Sequence, residues 1–187
     1  LCMKLAPSTP AAGRKTVDEL LASRMENWPD SVSAITTAMT RMFRLSDIVL
    51  EASAHLVESE GLTFSEFEVL ATLRSFPATR ALTPGELCEA VLLSSGGLTK
   101  VLYGLEDKKL IAREAGGSDK RSKPVRLTAK GRKAVERAMA AIMKEDDKRL
   151  GSVLSQEEIE SLARLLGAIL EKVEIGRSRT KSKDYRK

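Results

Sequence analysis

Ten residues near the middle of the chain have the types and spacing for one kind of chemistry, the non-covalent recognition of a polyanion. Ser94, Ser95, Gly96, Thr99, Lys100 and Tyr103 share the polar side of a helical repeat, and Asp119, Lys120, Arg121 and Lys123 cluster in a turn further on. Hydroxyls and ammonium groups meet phosphate oxygens or base edges, and glycine lets a backbone approach closely. Covalent chemistry has no comparable support. The sequence holds no nucleophile–base arrangement, Walker loop or dinucleotide fingerprint, and its single histidine, His55, argues against a metal cluster. We expect no enzyme, no cofactor and no metal.

The elements that must position these residues are legible. Thr83-Pro84-Gly85-Glu86-Leu87 opens a short helix: Thr83 caps it, Pro84 suits its first turn and Glu86 closes a capping box. Ser94 or Ser95 caps the next helix, in which Leu98, Leu102 and Leu105 form one buried face. Leu110–Glu114 and Pro124–Thr128 read as two strands around the turn Gly116-Gly117-Ser118-Asp119. Helix, turn, helix and hairpin make a winged helix-turn-helix, and the whole is mainly α with a small β wing. Residues 108–133 carry ten lysines and arginines against two acids, a net +8 in a chain of net +5. Positive charge is concentrated where double-stranded DNA would need it.

Composition sets the outer bounds. At 187 residues, 42% hydrophobic and 30% charged, the chain suits one well-buried globular core. No apolar run approaches the ~20 residues of a membrane span. Cys2 and Cys88 lie far apart and make no disulfide framework, so a reducing cytoplasm fits. Leu1-Cys2-Met3-Lys4-Leu5 is too short for a signal peptide's apolar region, and Met3 is an alternative start.

In chain order, residues 1–15 are expected to be disordered and residues 16–175 to form a single domain. A short helix from Thr16 to Asn27 ends at Trp28-Pro29-Asp30, and a long helix from Ser31 to Glu60 stops at Gly61. Thr63-Phe64-Ser65-Glu66 is a second capping box, opening a helix through Leu73. The winged helix-turn-helix spans 62–128. Thr128 caps a helix to about Leu150, with Ala134, Val135, Ala138, Met139, Ile142 and Met143 on one side, and Ser155-Gln156-Glu157-Glu158 is a third box. Behind it Ile159, Leu162, Leu166, Ile169 and Val173 step by three and four, a seam that packs on another helix. Residues 176–187 carry six basic residues and one acid and read as a disordered basic tail. Outside wing and tail the chain is acidic, so DNA should approach one face only.

These motifs resemble the MarR (multiple antibiotic resistance regulator) family of bacterial transcription regulators. Leu82-Thr83-Pro84-Gly85-Glu86-Leu87, Ser94 to Lys100, Leu110-Ile111-Ala112-Arg113, Asp119-Lys120-Arg121 and Leu127-Thr128-Ala129-Lys130-Gly131 stand in the family's order and spacing. The resemblance implies a homodimer on a pseudo-palindromic site, released by a small ligand or an oxidant. It places dimer contacts on residues 31–60 and 128–175, among them Ile35 and Met39 and the Ile159–Val173 seam. It sends Arg121 into the minor groove with Asp119 holding it, and a guanidinium suits a narrow, electronegative groove. Lys120 and Lys123 are expected on phosphates, Thr99 and Lys100 on the recognition surface. Tyr103 stands where the family often has an acid, and either reads DNA or packs on its helix. Gly104, inside the helix, implies a close neighbour.

Glu66 to Arg74 also resembles the urate-responsive branch. That branch's pocket uses a tryptophan, an aspartate and two arginines, which correspond here to Trp28, Glu68, Val101 and Arg113. The departures point away from urate, toward a related anionic or phenolic effector. The plainer alternative is a Glu68–Arg113 ion pair. His55, beside Glu51 and Glu58, reads as a partly buried interface histidine and stays among the candidate ligand residues. Cys88 reads as a small core residue, with oxidant sensing its rival. A winged-helix protein-interaction module is the main alternative to a DNA-binding repressor.

Overall fold

The computed structural model describes residues 15–91, 93–114 and 123–184, without the side chains of Ser95 and of residues 175–184. The elements are α1 (Val17–Asn27), a 3-10 turn (Pro29–Ser31), α2 (Ala34–Ser59), α3 (Phe64–Arg74), α4 (Pro84–Ala90), α5 (Ser95–Asp107), β1 (Ile111–Arg113), β2 (Val125–Leu127), α6 (Ala129–Gly151) and α7 (Gln156–Asp184). The chain divides into two compact units, the first ending at Ile142 and the second beginning at Met143, inside α6. No helix among the described residues is long and apolar enough to cross a membrane.

The helix starts follow from local hydrogen bonding. The boxes at Thr63–Glu66 and Thr83–Glu86 are closed, each threonine accepting from the glutamate's amide and each carboxylate accepting from the threonine's. Ser155 and Glu158 make the same exchange. The Thr128 hydroxyl accepts from the Gly131 amide at 3.0 Å. Thr16 with Glu19, and Ser33 with Thr36, close two more boxes beyond those expected from sequence. The second displaces the expected start of the long helix from Ser31 to Ala34, because the proline turn before it takes up Ser31. Gly61 leaves α2 with φ +74°. At the other end, α7 runs past Gly176 to Asp184, in place of the expected disordered tail. Its lysines and arginines are good helix formers and no proline interrupts them.

In the first unit the core sits around the winged region. Val57, Leu62, Leu70, Leu82, Leu87, Leu98, Leu102, Leu105, Val125, Val135 and Ala138 are buried. β1 and β2 pair antiparallel with Ile111 opposite Leu127 and Arg113 opposite Val125. Both strands are shorter than expected. Leu82 adds a bridge: its amide donates to Val125 O at 2.9 Å, and the Val125 amide donates to Leu82 O at 2.8 Å. The chain just before α4 is thereby tied to the wing.

One joint fixes the wing to α6. The Leu110 carbonyl accepts from the Thr128 amide at 3.0 Å and from its hydroxyl at 3.1 Å. α6 then passes so close that a Cβ on Gly131 would stand 1.9 Å from Leu110 O. Only glycine fits there. In the second unit α7 carries its apolar residues on a largely solvent-facing surface: Leu165, Ile169, Leu170 and Val173 are exposed, and Ile159, Leu162 and Leu166 are half-buried.

Candidate nucleic-acid interface

α5 is built to present one face. Ser94 is its N-cap, the Ser94 hydroxyl accepting from the Gly97 amide at 3.2 Å, which decides between the two candidate serines. Leu98, Leu102 and Leu105 are buried, so the helix turns Gly96, Thr99, Lys100 and Tyr103 outward, and all four are exposed. Ser95 begins the helix. The helix ends at Asp107, and just beyond its cap Lys109 has a left-handed φ of 59°, while the Leu110 amide donates back to Leu105 O at 2.9 Å. That reversal throws the chain directly into β1.

Asp119, Lys120 and Arg121 lie outside the described residues. Lys123 is half-buried just before β2. Arg126, absent from the expected contacts, is exposed on β2 opposite Ala112, and the exposed Lys130 follows on α6. The signal for Arg126 was its place next to apolar Val125, since neighbours on a strand face opposite sides.

Two acid–base clusters brace this surface. The Lys108 ammonium donates to Glu66 Oε2 at 2.7 Å and to Gly61 O at 3.0 Å. Glu66 also accepts from the Thr63 amide at 2.8 Å. A buried carboxylate needs such partners. Gly104 lies against it, since a Cβ there would sit 3.2 Å from Glu66 Oε1. The close neighbour implied by a glycine in mid-helix is this carboxylate. In the second cluster the Arg113 side chain, 7% exposed, donates from Nε to Glu106 Oε2 at 3.0 Å. Its guanidinium carbon lies 5.5 Å from the centroid of the Tyr103 ring.

The candidate ligand residues are not gathered in the same way. Trp28 is exposed at the end of α1, and His55 is exposed on α2 rather than partly buried, because in this register it points away from the buried Ser53 and Val57. Glu68 is half-buried without an ion pair among the described residues, and burial raises its pKa above the ordinary value. Among the described residues Arg113 pairs with Glu106 on α5 and not with Glu68 on α3, because β1 follows α5 directly. A groove of about 430 Å³ between α1 and α2, lined by Leu20, Arg24, Met39, Phe43, Arg44 and Asp47, includes none of the four. Cys88 is half-buried against the core, its thiol 3.5 Å from Leu93 O.

An N-capped helix with a polar, basic outer face, backed by a two-stranded wing, defines a winged helix-turn-helix DNA-binding protein. A profile of the MarR family matches residues 60–122. A transcriptional repressor of Mycobacterium bovis, Mb2911, is 30% identical over 129 residues, covering 68% of this chain and 91% of that protein. The regulator PecS of Dickeya dadantii is 29% identical over 126 residues, 67% of this chain and 75% of its own. Among solved structures, the transcriptional repressor CouR bound to a 23-mer DNA duplex superposes with a TM-score of 0.59 at 27% identity, over 70% of this chain and 89% of that one. The chain belongs to the MarR family of transcription regulators; it binds DNA and is not an enzyme.

Proposed function

We propose that the protein is a cytoplasmic, homodimeric repressor that holds a pseudo-palindromic operator and is released by a small anionic or phenolic effector. The observation that carries this reading is α5, which buries Leu98, Leu102 and Leu105 and turns Gly96, Thr99, Lys100 and Tyr103 to solvent. In the bound state Ser94, Ser95, Thr99, Lys100 and Tyr103 meet the major groove or its phosphates. Asp119 and Arg121 serve the minor groove, and Lys120 and Lys123 the backbone. Two such helices, about 34 Å apart in a dimer, would reach successive major grooves on one side of the duplex.

The dimer reading is supported by apolar side chains that one chain leaves uncovered. Ile35 is 76% exposed and Phe43 64%, with Met39 beside them on α2. Ile169 and Val173 extend the exposed seam of α7. Such faces mark association surfaces. For the effector, the candidate residues remain Glu68 and Arg113, which are not exposed, and Trp28 and His55, which are.

The test is an electrophoretic shift on the DNA upstream of the protein's own gene, titrated first with salt and then with small aromatic acids and phenols. A specific shift abolished by one compound is expected. A shift that no such compound releases would remove the effector from the reading. Failure to shift any specific duplex at low salt would overturn the repressor and favour a protein-interaction module.

A further inference from the structure

Arg113 lies at the junction of recognition helix and wing, and its guanidinium contacts two residues of α5. Its side chain is almost wholly buried, its Nε donates to Glu106 Oε2 at 3.0 Å, and it covers one face of the Tyr103 ring at 5.5 Å. Glu106 and Tyr103 belong to α5 and are three residues apart, neighbours on one helix surface. Arg113 belongs to β1, paired with Val125 of β2, and Val125 is itself bonded to Leu82 in front of α4. One side chain therefore spans both DNA-facing elements.

The exposures separate the roles. Arg113 is 7% exposed and neutralised by a carboxylate, so it has no charge to offer a phosphate. Tyr103 is 45% exposed although one ring face is occupied. Cation–ring contact and a charge-assisted hydrogen bond together restrict the ring to one orientation. We propose that Arg113 is a positioning residue for DNA binding: it holds Tyr103 as a fixed contact on the duplex and keeps the wing in register with α5. This rests on α5 being the DNA-facing helix. It also means that an anionic effector using Arg113 would first have to displace Glu106, and would thereby loosen Tyr103.

Salt dependence distinguishes positioning from direct contact. A lost phosphate contact lowers the slope of log K against log salt by about 1, whereas a lost neutral contact leaves the slope unchanged. The experiment compares Arg113→Lys, Tyr103→Ala, their double variant and Lys100→Ala in the full-length protein. The probe is a fluorescent duplex of the upstream DNA, and melting temperature and apparent mass are measured in parallel. Lysine keeps the charge but neither stacks nor forks as a guanidinium does. Arg113→Lys is expected to weaken binding about tenfold with an unchanged slope, a loss of ~1.4 kcal/mol. Tyr103→Ala should lose a similar amount and the double variant little more. Lys100→Ala should lower the slope. A reduced slope in Arg113→Lys would overturn the proposal by making Arg113 a phosphate contact. Additive losses in the double variant would overturn it by making the two residues independent. Unaltered binding in Lys100→Ala and Tyr103→Ala alike would instead remove α5 from the interface, and the proposal with it.

Discussion

Leu87, Leu98, Leu102, Leu105, Val125 and Val135 are all buried, whereas along the 26 residues of α2 the buried ones are Ser53 and Val57. Ile35, Met39, Phe43, Leu45, Ile48 and Leu50 stand exposed on that helix. Both regions draw an apolar stripe in sequence, but only the winged region covers its own. A stripe that a chain does not cover is specified for something outside that chain. The winged region thus reads as a finished tool and, on the proposed dimer, α2 as half of a joint.

If that contrast is sound, damage inside the winged region should cost folding, and damage on α2 should cost assembly. The largest effect is expected from Gly131→Ala, which drives a methyl into the Leu110 carbonyl 1.9 Å away. A loss of about 3 kcal/mol, lowering the melting temperature by roughly 6–12 °C, is the expected outcome. Near-normal melting would mean that α6 can move off the wing at little cost. Next comes Phe43→Asp, which should halve the apparent mass in sedimentation at micromolar protein while circular dichroism stays helical. A dimer that survives it would take Phe43 out of the interface.

Lys108→Ala tests the bracing of Glu66, whose side chain is 8% exposed and, among the described residues, is left with its capping bond to Thr63 once the ammonium is gone. About 1–2 kcal/mol should be lost, moderated because the lysine itself is partly solvated. Gly167→Ala on α7, where an added methyl would meet nothing within 4 Å, should instead stabilise the helix by about 0.5–1 kcal/mol. The opposite signs at 131 and 167 separate a glycine needed for packing from one that is not.

The smallest effect belongs to Glu68, whose carboxyl burial raises above the ordinary 4.5. Folding therefore favours its protonated form. That contribution is complete below pH 4.5 and is lost as pH rises through the elevated value. Glu68→Gln should melt slightly above the wild type at pH 7 and match it below pH 4.5. No difference at pH 7 would show Glu68 solvated in solution.

Local grammar is readable from sequence and long-range chemistry is not. Thr63, Thr83 and Ser155 announce their helices because each cap is answered three residues later within the same turn. The outward set on α5 follows from Leu98, Leu102 and Leu105 alone. By contrast, Lys108 and Glu66 are 42 residues apart, and nothing in their spacing signals that they meet. Arg113 and Glu106 are nearer, but the left-handed turn at Lys109 decides that they face each other. The expected Glu68–Arg113 pair fails for the same reason: the direction in which β1 leaves α5 is a backbone property of one residue. Ser33 and Thr36 escape notice because threonine is a less familiar reciprocal partner than glutamate, though its hydroxyl accepts from the Ser33 amide at 2.8 Å.

Lys109 has a consequence of its own. A lysine there adopts a conformation in which a side chain costs roughly 1 kcal/mol and glycine costs almost nothing. Lys109→Gly is therefore an attractive substitution for anyone seeking a sturdier protein, and it would strip a positive charge from the root of the wing. At this one position an engineer would be choosing between shelf life and grip.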